Sequence, residues 1–271
     1  ILGVYEGGMG SYGVVFIDDR AAGRGATLGA RVTALPGAGV GVINAQWASP
    51  SCEPAQDTLL TVQRFEETGS AALASPTHLA CYDQSPDVAI AGNAEGQVLV
   101  LASAFTGTWT GWDGYWLDRD LRLVQRFTIP ELTAPSANAE LVIAPLLDGS
   151  FVLRLGGTWT YRLQPGATAV EPAPCWLASR PATELALVRG GTAYASLHRG
   201  SEECDRVVEV LTPEGKTCGF VPVSGTDGRC ELAVGRDGTL SKGAVAVGGG
   251  AGQPRSCVLE FWPAALGPTG N

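Results

Sequence analysis

Apolar residues along this chain come in short runs separated by turn-forming residues, and the arrangement recurs. Five segments share an apolar strand, a tight turn ending in Gly and a second apolar strand. They are Arg31 to Gln46 through Pro36-Gly37-Ala38-Gly39, Asp87 to Ser103 through Asn93-Ala94-Glu95-Gly96, Glu140 to Leu155 through Asp148-Gly149, Glu184 to His198 through Arg189-Gly190-Gly191, and Glu231 to Val247 through Arg236-Asp237-Gly238. Each reads as a β-hairpin whose Gly tolerates the positive φ that such turns demand. A second hairpin follows each, with first strands Thr58 to Phe65, Gly114 to Asp118, Trp159 to Leu163, Arg206 to Leu211 and Cys257 to Trp262. No stretch holds a 3.6-residue apolar period over three turns, so helix is nearly absent.

Two hairpins per unit make four strands, and the unit recurs at roughly 50 residues, near the period of propeller blades. Gly107-Thr108-Trp109-Thr110 returns as Gly157-Thr158-Trp159-Thr160, which supports the register. The expected fold is all-β, a β-propeller of about six four-stranded blades. Five or seven blades and a two-layer β-sandwich are the alternatives. Residues 1–271 are expected to form a single propeller domain, with 1–30 an incomplete blade completed by the C-terminal strand, which would remove exposed edges. Within it Gly13 to Ile17 reads as a strand and Asp18 to Gly25 as a turn.

Apolar strands closed by Asp or Pro-x-Gly turns, as at Asp118-Arg119-Asp120-Leu121 and Thr212-Pro213-Glu214-Gly215-Lys216, resemble the outer-strand turns of bacterial extracellular β-propeller repeat proteins. The resemblance extends over most of the chain as generic repeat grammar, and it implies a fold. It implies no activity, because Trp-Asp dipeptide repeats, a Kelch Gly-Gly in every unit and a complete aspartate box are absent.

In a four-stranded blade the links between strands one and two, and three and four, share one side of the disc, and the remaining links share the other. The first set are expected to be tight turns throughout. The second set hold the long segments, among them Ala48 to Asp57, Ser70 to Pro86, Thr106 to Asp113, Thr128 to Ala139, Glu171 to Thr183 and Arg199 to Asp205. Long links on a rigid scaffold are where recognition concentrates, so binding is assigned to that side.

Composition narrows the partners. The formal charge is −9 and the basic residues are scattered, which argues against nucleic acid. No apolar run is long enough for a spanning helix. Seven cysteines without a C-x-x-C pair point to an oxidising compartment, secreted, periplasmic or cell-surface. Disulfide candidates are Cys52 with Cys81 and Cys204 with Cys230. The rival pairing is Cys204 with Cys218 and Cys230 with Cys257. The chain opens at Ile1 without an initiator Met or a signal-peptide pattern, so an upstream leader or region is expected.

Candidate site residues follow from chemistry. Trp109, Trp112, Tyr115 and Trp116 cluster beside an expected Asp113-Gly114 turn. Trp112 and Asp113, with Tyr82 and the loop aromatic Trp176, are the binding candidates, since a ring face beside a carboxylate holds both C–H surface and hydroxyls. The plainer reading packs Trp109 and Trp116 between blades and leaves Trp47, Trp159 and Trp262 in the core. His78 and His198, the only histidines, are placed near the long-link side; imidazole there is the one imaginable general base. No nucleophile elbow, phosphate loop or metal-ligand series is present, so no catalytic residue, metal or cofactor is assigned. The leading expectation is a non-enzymatic extracellular or cell-envelope binding or scaffold module for a protein or surface partner. The alternatives are a lectin-like propeller binding glycan and a hydrolase or lyase with a central-channel site.

Overall fold

The structure, a computed structural model, describes residues 2–6, 12–17, 23–28, 31–35, 39–46, 51–52, 58–66, 73–84, 86–105, 109–132, 141–155, 157–179, 184–188, 193–199, 206–223, 229–234, 240–245 and 257–262. The chain divides into two compact units, Ile1–Gly156 with Thr160–Pro172, and Gly157–Trp159 with Ala173–Asn271.

Almost all described structure is antiparallel sheet. The first sheet orders β1 (Leu2–Glu6), β2 (Tyr12–Ile17) and β3 (Gly23–Leu28). Three strands thus occupy the segment where a single strand and a turn are expected, because 23–25 join β3 and continue the ladder. The second sheet orders β4 (Arg31–Leu35), β5 (Gly39–Gln46), β6 (Thr58–Glu66) and β7 (Thr77–Tyr82). The third orders β8 (Val88–Gly92), β9 (Val98–Phe105), β10 (Trp109–Leu117) and β11 (Leu123–Ile129). The fourth orders β12 (Leu141–Pro145), β13 (Phe151–Leu155), β14 (Thr158–Leu163) and β15 (Glu171–Pro172). A four-residue helix, α1 (Cys175–Ala178), precedes the fifth sheet, β16 (Glu184–Val188), β17 (Ala193–Arg199), β18 (Arg206–Leu211) and β19 (Thr217–Val223). The sixth orders β20 (Arg229–Val234), β21 (Leu240–Val245) and β22 (Cys257–Trp262).

Each sheet is built from consecutive hairpins in chain order, as the repeat requires, and the first strands β4, β8 and β12 neighbour one another within the first unit. The third sheet is buried on both faces. On one face Val88, Ile90, Val98, Val100, Tyr115 and Leu117 pack with Leu35, Leu60, Val62 and Tyr82 of the second sheet. On the other, Ala89, Leu99, Leu101, Trp112, Trp116 and Phe127 pack with Leu141, Ile143, Phe151 and Leu153 of the fourth. Because side chains alternate across a strand, a sheet sandwiched between two others needs apolar residues at successive positions, which is why β9 reads as the uninterrupted run Val98-Leu99-Val100-Leu101-Ala102.

The tight turns repeat in detail. After Leu117 and Leu211, both buried, the chain turns so that Leu121 donates its N–H to the Asp118 carbonyl and Gly215 donates its N–H to the Thr212 carbonyl. Both turn residues have positive φ, 63° at Leu121 and 78° at Gly215. Leucine in the left-handed region is costly, and burial of its side chain against the second and third sheets offsets that cost.

The expected division of links is corrected in part. Ser70 to Pro86 contains β7, leaving 67–76 between β6 and β7, on the side expected to carry only tight turns. Thr106 to Asp113 shrinks to 106–108 because β10 begins at Trp109, and Asp113-Gly114 lies inside that strand instead of forming a turn. The physical reason is that β10 needs both residues to complete its pairing with Ala102 and Leu101 of β9. Gly114 is required there because a Cβ would lie 2.3 Å from the Phe127 ring.

Candidate functional site

The ends of β7, β10 and β11 meet on the side of the first unit that carries the β5–β6, β7–β8 and β9–β10 links. Strand alternation brings Asp113 and Tyr115 of β10 to the face that packs on the second sheet, opposite Thr128 and Arg126 of β11. Tyr82, the last residue of β7, reaches across from the second sheet. Its hydroxyl donates to Asp113 Oδ2 at 3.1 Å and lies 2.6 Å from the Tyr115 hydroxyl. Since the single Tyr82 proton goes to the carboxylate, the Tyr115 O–H donates to the Tyr82 oxygen. Thr128 Oγ1 donates to Asp113 Oδ1 at 3.2 Å, and the Arg126 guanidinium stands 3.5 Å from Oδ2 and 5.5 Å from the centre of the Tyr115 ring.

Burial raises both phenols above their ordinary value. For Tyr82 the neighbouring Tyr115 and the Asp113 charge add to that rise, while for Tyr115 the Arg126 charge partly opposes it. Both are therefore neutral donors around neutral pH. The chain of hydroxyls ends on one carboxylate held by three donors, an arrangement suited to orienting a rim. It presents Asp113, only partly exposed, beside the more open Arg126 and Thr128. The Cys52–Cys81 disulfide anchors the β5–β6 link to the residue preceding Tyr82.

Of the residues chosen from sequence, Tyr82 and Asp113 come together here. Trp112 does not present a ring: it lies within β10, not in a loop, and is 1% exposed in the apolar layer between the third and fourth sheets. Alternation forces this, since neighbours Trp112 and Asp113 must face opposite ways. His78 is exposed near the start of β7, next to the 67–76 link, about 13 Å of strand from Tyr82; its expected place near the long-link side is corrected, because β7 runs away from it toward that side. Trp176 lies on α1 in the second unit, its ring 5.4 Å from that of Tyr194 and pressed over Gly215 in the β18–β19 tight turn, which corrects its placement in a loop on the opposite side. His198 holds a register position in β17 opposite Val207; its side chain lies outside the described residues.

Cys204 lies outside the described residues, as do the side chains of Cys230 and Cys257, so the Cys204–Cys230 pairing is not among the structural findings. The rival Cys204–Cys218 pairing is corrected, since Cys218 is an exposed free thiol, as is Cys175. Cys218 sits where β19 shifts register against β18. Among the described residues no group of three His, Cys, Asp or Glu side chains could hold a metal ion, and no helix is long and apolar enough to cross a membrane. Sequence reading missed Arg126 and Thr128. Their signal was the period-2 pattern of Leu123 to Ile129, which puts them on the Asp113 face once β11 is registered against β10.

No model of a known protein family matches this chain, and no curated protein matches its sequence. Solved structures do resemble it. A protein of unknown function from Bacteroides caccae is 11% identical, with 98% of this chain and 90% of that one covered, at a TM-score of 0.56. TolB from Acinetobacter baumannii is 14% identical, covering 93% of this chain and 57% of its own, at 0.51. Prolyl oligopeptidase B from Galerina marginata is 7% identical, covering 97% and 39%, at 0.51. The chain thus spans little more than half of the TolB chain and well under half of the oligopeptidase. At such identities the likeness concerns fold alone, and together with the sheet packing it defines the chain as a β-propeller protein.

Proposed function

We propose that this chain is a non-enzymatic binding or scaffold module of the extracellular or cell-envelope space, built as one propeller of about six blades, with 1–30 completed by the C-terminal strand. It recognises a protein or surface partner through the side on which β7 ends and β10 begins. The carrying observation is the combination at that rim of a crosslink with a closed hydroxyl–carboxylate network, Cys52–Cys81 beside Tyr82, Asp113 and Thr128. Fixing a surface in advance lowers the ordering cost of binding, and a disulfide suits an oxidising compartment. The phenols hold their protons and the carboxylate is committed to its donors, so the rim is better suited to recognition than to proton transfer.

The test compares two sets of exposed substitutions. Asp83→Arg, Asp87→Arg and Thr128→Arg alter the proposed rim, whereas Ala94→Arg and Glu214→Arg alter tight turns. Cross-linked capture of a protein partner from cell-surface extract should disappear with the first set and survive the second. Capture that persists with the first set, or a glycan-array signal without any protein partner, refutes the reading. Non-reducing peptide mapping of protein from its natural source should recover the Cys52–Cys81 peptide; finding both thiols reduced removes the compartment assignment.

A further inference from the structure

The outer strand of a sheet leaves a row of backbone donors and acceptors open to pairing, and proteins guard such edges by shortness, proline, charge or cover. The four-stranded sheets here differ sharply in this respect. Outer strand β7 is tied through Cys81 to Cys52. Outer strand β15 is two residues long and contains Pro172. Outer strand β19 contains Pro222, which removes a donor. Outer strand β11 has no crosslink and no proline; its one charge is Arg126, toward the rim end, and its register shifts at Val124. It is seven residues, Leu123–Ile129, without proline, and it leaves Leu123 42% and Val124 67% exposed.

Charge at the same edge indicates what would cover it. The carboxylates at its approach are already used. Asp118 Oδ1 accepts the N–H groups of Asp120 and Arg122, and Asp120 pairs with Arg64 at 3.2 Å. Arg119 and Arg122 are exposed, and no carboxylate among the described residues pairs with either. We propose that β11 takes an added strand from a partner protein, an extended segment in which acidic and apolar residues alternate. Backbone pairing along β11 supplies affinity, contact with Leu123 and Val124 supplies apolar burial, and carboxylates meeting Arg119 and Arg122 fix the register. A second copy of this chain is the weaker occupant, because it would bring the same arginines to the seam and a net charge of −9 against −9.

The test uses the whole chain and a capped peptide of about nine residues alternating Glu and Val, long enough to span an ordinary strand. Anisotropy titration should show saturable binding, weakened about tenfold or more when Lys replaces Glu in the peptide or when Arg119→Glu and Arg122→Glu are combined in the protein. Amides of β11 should gain protection from hydrogen exchange only in the complex. Equal binding of the Lys peptide, or binding without added β11 protection, overturns the proposal. A dimer by light scattering that Val124→Glu abolishes assigns the edge to a second copy and overturns it too. The rim substitutions Asp83→Arg and Asp87→Arg, which lie off β11, should leave peptide binding within about twofold, so failure of this edge and failure of the rim reading are read separately.

Discussion

The two faces of β10 belong to the same strand and do opposite things. Toward the fourth sheet, Trp112 and Trp116 join Phe127 and Phe151 in an aromatic layer, with the Trp116 and Phe127 rings 6.0 Å apart and the Trp116 and Phe151 rings 5.5 Å apart. The Trp116 indole N–H donates to the Ala167 carbonyl at 2.8 Å, so the ring keeps its polar handle satisfied at the edge of that layer. Toward the second sheet, Asp113 and Tyr115 join Tyr82 in a polar chain laid over Val100 and Leu60. The lesson is that a blade interface need not be uniform. Apolar packing sets how firmly two sheets adhere, and a polar network placed where the layer reaches the rim sets which geometry they adopt.

That contrast can be broken from its apolar side first. Trp112→Ala should cost about 3–5 kcal/mol, since a large buried ring is removed from a layer with little freedom to collapse. Urea unfolding measures it; a loss below about 1 kcal/mol would mean that the third and fourth sheets do not pack through this ring. From the polar side the effect should be smaller. Asp113→Ala leaves the buried Tyr82–Tyr115 pair of hydroxyls one acceptor short and should cost about 1–3 kcal/mol by the same measurement. If pairing Asp113→Ala with Tyr82→Phe restores nothing, the two residues are not coupled, and the network has been misassigned.

The smallest effect per step separates the two faces by pH. Tyr82 and Tyr115 have folded-state pKa values raised above the ordinary 10.0. Their contribution is thus fully present below about pH 10, where folded and unfolded forms bind equal numbers of protons, and it is lost as pH rises through the folded values. Above about pH 10 stability should fall by roughly 1.4 kcal/mol per pH unit for each phenol. Changing both tyrosines to Phe should flatten that alkaline limb, whereas Trp112→Ala should lower stability across the whole range without altering the slope. An unchanged slope in the double Phe variant would show that other groups carry the alkaline loss.

Much of the architecture was readable in the order of residues. Strand positions follow from turn chemistry, which is local: Asn93 through Gly96 and Asp148-Gly149 close hairpins whatever lies around them, and the repeated Gly-Thr-Trp-Thr marks the opening of two third strands, β10 and β14. The equivalence of repeat positions made Cys52–Cys81 a candidate pairing, and the structure shows that disulfide. The site was legible by half. Tyr82 and Asp113 could be chosen by residue type, but Arg126 and Thr128 enter only through the register of β11 on β10, and Trp112 leaves because its neighbour takes the other face.

The sequence by itself determined that this protein is a succession of hairpins grouped into small antiparallel sheets, because propensity, turn geometry and repeat spacing act within a few tens of residues. Only tertiary structure decided which side chains meet. Tyr82 and Asp113 are 31 positions apart in the chain and lie on different sheets, joined by a 3.1 Å hydrogen bond. Face, register and the packing of one sheet on the next are long-range properties, and a shift of one residue in any of them would exchange the buried Trp112 for the polar Asp113.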